Sequence, residues 1–453
     1  MNRFPALPQS SSQRIAPRVA LSLILAAAVG QLFNNVALIK LDSFAVTIPM
    51  LLLMAAAAIA FFVPRPRPSD DTTLLVWMLL LGWQIFVGLV LGLVTEREWI
   101  QPFMLFFIYT TCFAIASRLS ITRDDIVWAI YTLAVLLILF GALGVVQFIL
   151  LNFFRIVPAL PAERSAVPWN PVIDIYRTDG VLRPAGLSYE PSTYSIALSF
   201  ALVLLLLLIG LVPFRNRRLL IVALLCLLAG SLTSLSLSGW AIAVPALFVS
   251  ALNARFRRFI IPLILLVAVV AGIVFLAGFA TVVTARLNDI AAGDDESANV
   301  RVLAALALLV HPSHDIARFF TGNGLGQNPA FAAMMDEVYL QRFAITETNI
   351  HNIFTVVRVT QGWVGIALHL VLLLSVARPD FRRNRSLYLP VFVMVFALHF
   401  SSGFYLDPAF WAILTLIAVL RSVDADQPAG SPALRPAIWN WKPSYRVSML
   451  ERR

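Results

Sequence analysis

Charged residues are scarce in this sequence. Only 13% of its 453 residues are Asp, Glu, Lys or Arg, whereas 60% are hydrophobic and the mean hydropathy is +0.86. Soluble domains carry about 25% charged residues. The composition therefore excludes an ordinary soluble domain and indicates that the lipid bilayer is the solvent of this chain.

Cysteine and the common motifs of cofactor-dependent enzymes are also missing. The two cysteines, Cys112 and Cys226, both fall inside apolar stretches, which argues against a disulfide framework or a cysteine metal site and predicts packing roles. The chain has no Walker-type phosphate loop, no HExxH and no carboxylate cluster in its apolar stretches. The acidic run at residues 294–296 is typical of a solvated loop. We therefore assign no metal and expect no cofactor.

Long apolar runs, in contrast, are abundant. They predict an all-α integral membrane protein, a single polytopic domain over residues 1–453 without internal repeats. Twelve spans are expected, at residues 19–39, 43–63, 73–94, 102–117, 126–151, 190–212, 219–233, 239–252, 259–284, 350–377, 387–403 and 408–420. Two connections are long, residues 152–189 and residues 285–349, and a polar tail covers residues 422–453.

The basic residues decide the orientation. With both termini in the cytoplasm of a bacterial inner membrane, cytoplasmic segments hold 23 of the 34 Lys and Arg residues, as the positive-inside rule requires. The net charge of +10 thus reflects membrane topology, and we expect no nucleic-acid partner. Both long loops then lie at the outer face. The second loop shows helical periodicity over residues 297–320, which predicts helices along the membrane surface.

The tenth predicted span opens with polar residues around His351. A helix that begins there would place His351, Thr355 and Arg358 on one face. A histidine near a deeper arginine suits a general base beside an anion site. The alternative is an interfacial histidine satisfied by water, with an arginine whose charge reaches outward along the helix.

A second polar segment, Arg183–Ser192, joins the first outer loop to the sixth span. It places Arg183 and Glu190 near the same membrane surface. An arginine fork could bind phosphate oxygens while the carboxylate orients an acceptor hydroxyl or a basic partner. The alternative is an ion pair between the two residues that only holds the loop.

Two further features lie in the second outer loop. Arg301 begins the predicted surface helix, and glycines recur over Gly322–Gly326. Spaced glycines allow backbone amides to approach a ligand, but they equally form a sharp turn after a helix. No strand precedes them, so a dinucleotide site is not expected.

Four features of the sequence, in this order and topology, resemble the O-antigen ligase and O-antigen polymerase superfamily. They are the twelve spans, the outer loop before the tenth span, the glycines of Gly322–Gly326, and His351 with Asn352 ten residues before Gly362. The Gly-x-x-x-Glu-Pro-Ser pattern that starts at Gly186 is closest to the polymerases of exopolysaccharide repeat units. The resemblance implies a GT-C-like helical bundle and a metal-independent glycosyltransferase. It also implies a glycan donor on undecaprenyl pyrophosphate, with a flippase and a chain-length regulator as partners.

The resemblance also implies residue roles. His351 takes the place of the catalytic histidine, and Arg301 and Arg183 take the places of arginines that grip the pyrophosphate. Glu190 is a second catalytic candidate because of its position in the polar segment, and not because of the resemblance. This sequence departs from the family at Leu237, where the pattern often has arginine. We hypothesise that Arg358 supplies the missing charge.

Three functions remain open at this point. A polymerase would join lipid-linked repeat units, whereas a ligase would move finished glycan to a lipid or protein acceptor. A transporter of lipid-linked glycan is the third possibility, but transporters place ionisable groups near the membrane midplane. Only His369 and Arg358 lie clearly within predicted spans, with His399 near the end of one. These positions disfavour a transporter, and the resemblance of the Gly-x-x-x-Glu-Pro-Ser pattern to the repeat-unit polymerases favours a polymerase over a ligase.

Overall fold

The computed structural model describes residues 11–33, 37–41, 44–63, 71–156, 177–178, 181–188, 190–212, 214–251, 299–311, 315–343, 350–381, 385–401 and 404–425, with single positions at 261, 272, 284 and 288. The predicted ninth span and the acidic run at 294–296 therefore lie outside the described residues, apart from those isolated positions. Most of the first outer loop and of the polar tail does so as well.

Helices make up almost all of the described chain, because a backbone in a bilayer has to satisfy its hydrogen bonds internally. The helices are α1 (Ser11–Ala28), α2 (Ile48–Phe62), α3 (Asp71–Val90), α4 (Arg97–Ala116), α5 (Arg123–Ile149), α6 (Pro191–Leu211), α7 (Arg217–Thr233), α8 (Leu237–Ala251), α9 (Ala305–Leu309), α10 (Ile316–Thr321), α11 (Pro329–Met335), α12 (Ile353–Phe381), α13 (Arg385–Ser401) and α14 (Pro408–Ala425). Wider π-helical turns extend α5 over Leu150–Phe154, precede α9 over Asn299–Ala304 and follow α11 over Asp336–Arg342.

Four helical stretches are long and apolar enough to cross a membrane. They are Arg97–Ala116, Arg123–Phe154, Pro191–Leu211 and Ile353–Val376. Shorter apolar helices coincide with other predicted spans, including Ile48–Phe62, Leu74–Val90, Ser238–Ala251 and Pro408–Leu420. The prediction of a helical membrane protein is thus confirmed, while the number of twelve spans stays a prediction.

The first predicted span is wrong in its second half. The sequence predicts one apolar helix over residues 19–39, but α1 ends at Ala28 and a β-hairpin follows. Strand β1 (Ala37–Leu41) pairs with strand β2 (Phe44–Thr47) in antiparallel register. Isoleucine, valine and threonine at these positions suit a strand as well as an apolar helix, so the hydropathy signal cannot separate the two.

Helix α6 occupies the centre of the bundle. Nearly all of its side chains are buried, and it packs against α5, α7, α8 and α13. Its sequence is apolar on every face because it is covered on every face. The hydroxyl of Tyr194 donates to Phe140 O on α5 at 2.7 Å, which ties the N-terminal end of α6 to its neighbour. The start of α6 is therefore anchored within the protein.

Helix α12 is broken at Gly362, where φ is +70° and ψ is −168°. The three carbonyl groups before the break accept hydrogen bonds from other elements: from Asn323 N to Val359 O at 2.7 Å, from Gly324 N to Thr360 O at 3.0 Å, and from Trp83 Nε1 to Gln361 O at 3.0 Å. A helix can break inside a bundle when neighbouring groups satisfy the freed carbonyls in this way. The break is thus a built feature of the fold.

The glycine run Gly322–Gly326 docks against this break. A Cβ on Gly322 would lie 2.6 Å from the backbone nitrogen of Gln361, and a Cβ on Gly362 would collide with Phe320 O. The run begins where α10 ends at Thr321. Of the two interpretations of these glycines, the structure therefore supports the sharp turn after a helix.

We predict that Gly362→Ala destabilises the protein. The backbone conformation of Gly362 is essentially restricted to glycine and costs another residue about 1–3 kcal/mol, and the added Cβ also meets the Phe320 carbonyl. The measurement is thermal unfolding of the purified protein in detergent. Gly82→Ala is the matched control, since an added Cβ there meets nothing within 4 Å. An unchanged melting temperature for Gly362→Ala would contradict the assignment of the break.

Candidate active site

Two side-chain amides from α5 and its extension hold the loop that leads into α6. Gln147 donates from Nε2 to Gly186 O and accepts from Gly186 N, both at 2.8 Å. Asn152 makes the same pair of bonds with Leu182, again at 2.8 Å each. Each amide thus pairs with the backbone N–H and the backbone C=O of a single residue. The backbone around Arg183 is consequently fixed at both ends.

Arg183 is buried beneath this loop. It is 9% exposed, and its Nε donates to Ser234 O at 2.9 Å. Ser234 lies in the turn between α7 and α8, where Leu235 adopts φ +47°, an uncommon conformation for a residue other than glycine. Arg183 therefore links the first outer loop to this turn.

Arg301 comes from the second outer loop and reaches the same place. Its Nη1 donates to Ser238 Oγ at 2.5 Å, at the start of α8. Its Nη2 lies 3.2 Å from Ser192 Oγ and 3.4 Å from Glu190 Oε1, and the Ser192 hydroxyl also donates to Glu190. The guanidinium is thus shared between the outer end of α6 and the start of α8.

Glu190 directly precedes α6, with Pro191 as the first helical residue. It forms an ion pair with Arg301, whose Nη2 lies 3.4 Å from Glu190 Oε1. The two side chains keep partial access to solvent, with 14% of Arg301 and 29% of Glu190 exposed. An arginine in this setting offers paired donors that an anionic ligand can reach.

Arg183 and Arg301, from two different connecting segments, both contact the junction between α7 and α8. Ser234 O in the turn accepts from Arg183, and Ser238 Oγ at the start of α8 accepts from Arg301. Gly239 completes the junction, because a Cβ there would lie 2.6 Å from Ser195 O on α6. The predicted residues Arg183, Glu190 and Arg301 are thus brought together around one turn.

His351 lies just outside α12, and the prediction that it shares a helical face with Thr355 and Arg358 is wrong. The helix begins at Ile353, since the side chain of Asn352 caps it by accepting from Thr355 N at 3.0 Å. Asparagine is a strong N-cap residue, so the helical conformation does not extend back from Ile353 to His351. His351 is partly exposed.

His351 and Arg301 are carried by segments that pack on each other. Thr355 Oγ1 donates to Ala305 O at 2.9 Å. Ile350 is buried in the same apolar cluster as Val300. Val300, the neighbour of Arg301 in the sequence, and Ile350, the neighbour of His351, therefore belong to one packed cluster.

Arg358 occupies a different environment. It is 5% exposed, and its guanidinium lies 5.7 Å from the ring centre of Phe319 and 5.3 Å from that of Trp363. Such cation–π contacts stabilise a desolvated arginine. They place Arg358 in the packing between α10 and α12, whereas Arg301 makes its contacts with Glu190, Ser192 and Ser238.

The sequence interpretation assigned no role to the groups that hold the arginines. These are Gln147, Asn152, Ser192, Ser234 and Ser238. Gln147 carried a signal, because a buried amide in a long apolar helix is costly unless it is paired. Ser192 carried one as the serine of the Gly-x-x-x-Glu-Pro-Ser pattern, whereas Ser234 carried none, since serine is common at helix ends for capping alone.

Both cysteines lie within helices, as expected. Cys112 is buried in α4, Cys226 is partly buried in α7, and both are free. Within the described ranges, no three side chains of His, Cys, Asp or Glu come together as ligands for a metal ion.

No curated protein sequence matches this chain. A family model described as WcaD colanic acid polymerase matches residues 21–423, a range that contains all five predicted site residues. The prediction that this chain groups with the exopolysaccharide repeat-unit polymerases is thereby confirmed. The match implies a glycosyltransferase-type polymerase of polysaccharide biosynthesis in a membrane. The chain belongs to the WcaD colanic acid polymerase family.

Proposed function

We propose that this protein joins oligosaccharide repeat units, carried on undecaprenyl pyrophosphate, into an exopolysaccharide or O-antigen. The reaction takes place at the outer face of the bacterial inner membrane, and both termini of the chain are cytoplasmic. A flippase delivers the lipid-linked units, and a chain-length regulator acts on the product. The donor, the site and the orientation are parts of this proposal.

The observation that carries the proposal is the convergence of Arg183 and Arg301 on the turn between α7 and α8. Two guanidinium groups from two different loops meet at the end of a membrane helix, beside one carboxylate. A pyrophosphate group carries several negative charges, and paired arginine donors are well suited to bind it. Sugars attached through pyrophosphate are therefore the substrate class that this arrangement fits best.

The proposed chemistry is a single displacement. The acceptor hydroxyl attacks the anomeric carbon of the donor sugar, and its proton passes to His351 as general base. The bond between the anomeric carbon and the pyrophosphate oxygen breaks, and the oxygen keeps the electron pair. Arg183 and Arg301 stabilise the charge that develops on this leaving group. Since the arginines neutralise the pyrophosphate, the proposed reaction needs no metal ion. Because it is a single displacement, it inverts the anomeric centre.

In this scheme, Glu190 changes its partner when the substrate binds. Without substrate it pairs with Arg301 and accepts from the Ser192 hydroxyl. When pyrophosphate binds, its oxygens take over the Arg301 donors, and Glu190 becomes available to orient the acceptor hydroxyl or a basic partner. The carboxylate thus holds the arginine in place until the substrate arrives.

Arg358 is the remaining candidate for pyrophosphate binding. Arg358 was proposed to supply the positive charge that the family pattern has at the position of Leu237. Arg301 is a second source of this charge, because it contacts Ser238, the residue that follows Leu237 in the sequence. We retain Arg358 as a ligand that moves off Phe319 and Trp363 when substrate binds. Full polymer yield from Arg358→Ala in cells would remove it from the site.

The decisive experiment is deletion of the gene followed by sizing of the lipid-linked glycans. We expect single repeat units to accumulate on the lipid carrier and long chains to disappear. Long chains that remain undelivered would instead identify a ligase. Unchanged glycans with normal delivery would contradict both assignments, and failure of repeat units to reach the outer face would identify a transporter.

We predict that Gln147→Leu lowers polymer yield at least about tenfold. Loss of both hydrogen bonds to Gly186 lets the loop that carries Arg183 shift, and small misplacements in an active site lower the reaction rate strongly. The measurement is polymer yield in the deletion strain complemented with each variant at equal protein level. Asn216→Ala is the control, since Asn216 is an exposed cap of α7 whose side chain accepts from Leu219 N. Equal yields from the two variants would show that the loop does not depend on this amide.

A further inference from the structure

Helix α12 does not continue straight through its break. Phe354 lies before the break and His369 lies after it, and a straight helix with a rise of about 1.5 Å per residue would hold them about 22 Å apart. Their ring centroids are only 6.1 Å apart. A Cβ on Gly365 would also collide with the Gln361 side chain, whereas residues four apart in a straight helix have Cβ atoms about 5–6 Å apart. Residues 353–361, the first arm of α12, therefore turn back beside the part of the helix that follows the break.

Four aromatic rings surround the side chain of Phe354. They belong to the part of α12 after the break and to α13, and their centroid distances are 4.8 Å for His399, 5.4 Å for Phe400, 5.9 Å for Phe396 and 6.1 Å for His369. Phe354 is 9% exposed, so these four rings, the aromatic cage, cover most of it. Aromatic pairs at such distances attract each other beyond the area that they bury. The cage thus holds the first arm against the bundle.

The ring nearest to Phe354 is fixed in its plane. His399 Nδ1 donates to Val395 O at 2.6 Å, and His399 Nε2 lies 2.8 Å from His369 Nε2. Both ring nitrogens of His399 are therefore engaged in hydrogen bonds, and the ring turns only if these bonds break. Phe410 of α14 also packs on the two histidine rings, at centroid distances of 6.0 Å and 5.6 Å. Hydrogen bonds and packing together thus fix the wall that Phe354 meets.

The first arm carries His351 at its N-terminal end. Phe354 follows His351 by three residues, and the Asn352 side chain between them caps the arm. Thr355, directly after Phe354, donates to Ala305 O at 2.9 Å. Because only two residues separate Phe354 from His351, a shift of Phe354 displaces the backbone of His351 by a similar amount. The seat of Phe354 in the cage therefore sets the place of His351.

We propose that Phe354, packed against the His369–His399 pair, is a positioning residue that holds His351 at the acceptor hydroxyl. His351 is the general base in the proposed function, and the role of Phe354 rests on that function. A general base has to lie within hydrogen-bond reach of the proton that it takes, and a misplacement of about 1 Å costs up to about 100-fold in rate. Phe354 touches no substrate and acts through the backbone of the first arm.

A purely structural role for Phe354 leads to a different result. If the cage only stabilised the bundle, its loss would lower the melting temperature and leave kcat of the folded protein unchanged. Positioning of the base instead requires a loss in kcat at nearly constant KM. The KM value should persist because Arg301 keeps its own contacts with Ser192 and Ser238. Kinetics of the folded variants therefore separate the two roles.

The first test compares Phe354→Leu with Phe113→Leu in purified protein supplied with lipid-linked repeat units. Phe113 is the matched control, since it is 1% exposed and packs on Trp411 of α14. We expect kcat of Phe354→Leu to fall at least about tenfold with KM within about twofold of the wild type, while Phe113→Leu keeps its kcat. If Phe354→Leu does not accumulate, Phe354→Met takes its place, because methionine fills irregular gaps. Equal kcat values for the Phe354 and Phe113 variants would overturn the proposal.

The second test asks whether Phe354 and His399 act through one contact. His399→Leu removes the ring closest to Phe354, so it should also lower kcat more than KM. Residues in contact are not additive in their effects, and the double variant should lose clearly less than the product of the two single losses. Losses that multiply fully would contradict a common role.

A measurement without enzyme activity separates the role of Phe354 from the proposed function. The variants His351→Cys and Arg218→Cys, in a chain with Cys112→Ala and Cys226→Ala, carry two spin labels; Arg218 is exposed at the start of α7. We expect the distance distribution between the labels to shift or broaden when Phe354→Leu is added. An unchanged distribution would overturn the positioning role even in an active polymerase. Absence of polymer synthesis by the wild-type protein would instead count against the proposed function.

Discussion

Replacing Arg301 with alanine is expected to reduce polymer synthesis at least about 100-fold, because loss of a group that stabilises developing charge typically costs two to three orders of magnitude. Arg301 is the residue that joins the second outer loop to Glu190, Ser192 and Ser238. Its removal would take away both the pyrophosphate contact and the link between the loops. The measurement is the rate of polymer formation in membranes supplied with lipid-linked repeat units.

Two further variants separate charge from geometry at this position. Arg301→Lys keeps the charge but loses the planar fork, so we expect partial activity between the alanine variant and the wild type. Arg318→Ala is the control, because Arg318 is an exposed arginine of the same outer segment, on α10. Comparable activity of Arg301→Ala and wild type would rule out Arg301 as a pyrophosphate ligand.

Replacing His351 with alanine is expected to leave the protein folded but inactive. General-base catalysis contributes about 100-fold to 10,000-fold, and a loss of this size should show as accumulated single repeat units. Folding should persist because His351 precedes α12, whose start depends on the Asn352 cap. The measurements are polymer rate and thermal unfolding of the same purified preparation.

His351→Gln sharpens this test, since glutamine can form hydrogen bonds but cannot take up a proton at neutral pH. It should be as inactive as the alanine variant. His311→Ala is the control, because the Nε2 atom of His311 lies 3.6 Å from the Glu337 carboxylate, a contact separate from the proposed site. Retained activity in either His351 variant would remove the general-base role and leave the arginines as the only supported part of the site.

The membrane character of the chain could be predicted from its composition, and so could the approximate position of most helices. The start of α6 was predicted within one residue, because Pro191 marks it and a long apolar run follows. The hairpin of β1 and β2 was missed, since its apolar residues resemble a helix when only hydropathy is considered. The break at Gly362 was also missed, because its supporting donors come from residues around 83 and 323.

The candidate site was predicted in part. Arg183, Glu190 and Arg301 were singled out as polar residues at the outer ends of apolar segments, and they do come together. His351 was singled out as well, but on a helical face that does not exist, because Asn352 starts the helix two residues later than expected. Arg358 was placed beside His351 by the same helical argument, whereas aromatic rings of α10 and α12 surround it.

The sequence by itself determined that this chain is embedded in a bilayer, approximately where most of its helices lie, and which charged residues stand near their ends. These properties depend on local composition, and hydropathy and charge add up residue by residue along the chain. The tertiary structure alone decided that Glu190 pairs with Arg301 across 111 positions, that Gln147 and Asn152 hold the Arg183 loop, and that His369 meets His399. These contacts depend on how distant helices pack, because partners for a buried polar group are chosen by geometry and not by proximity in the sequence.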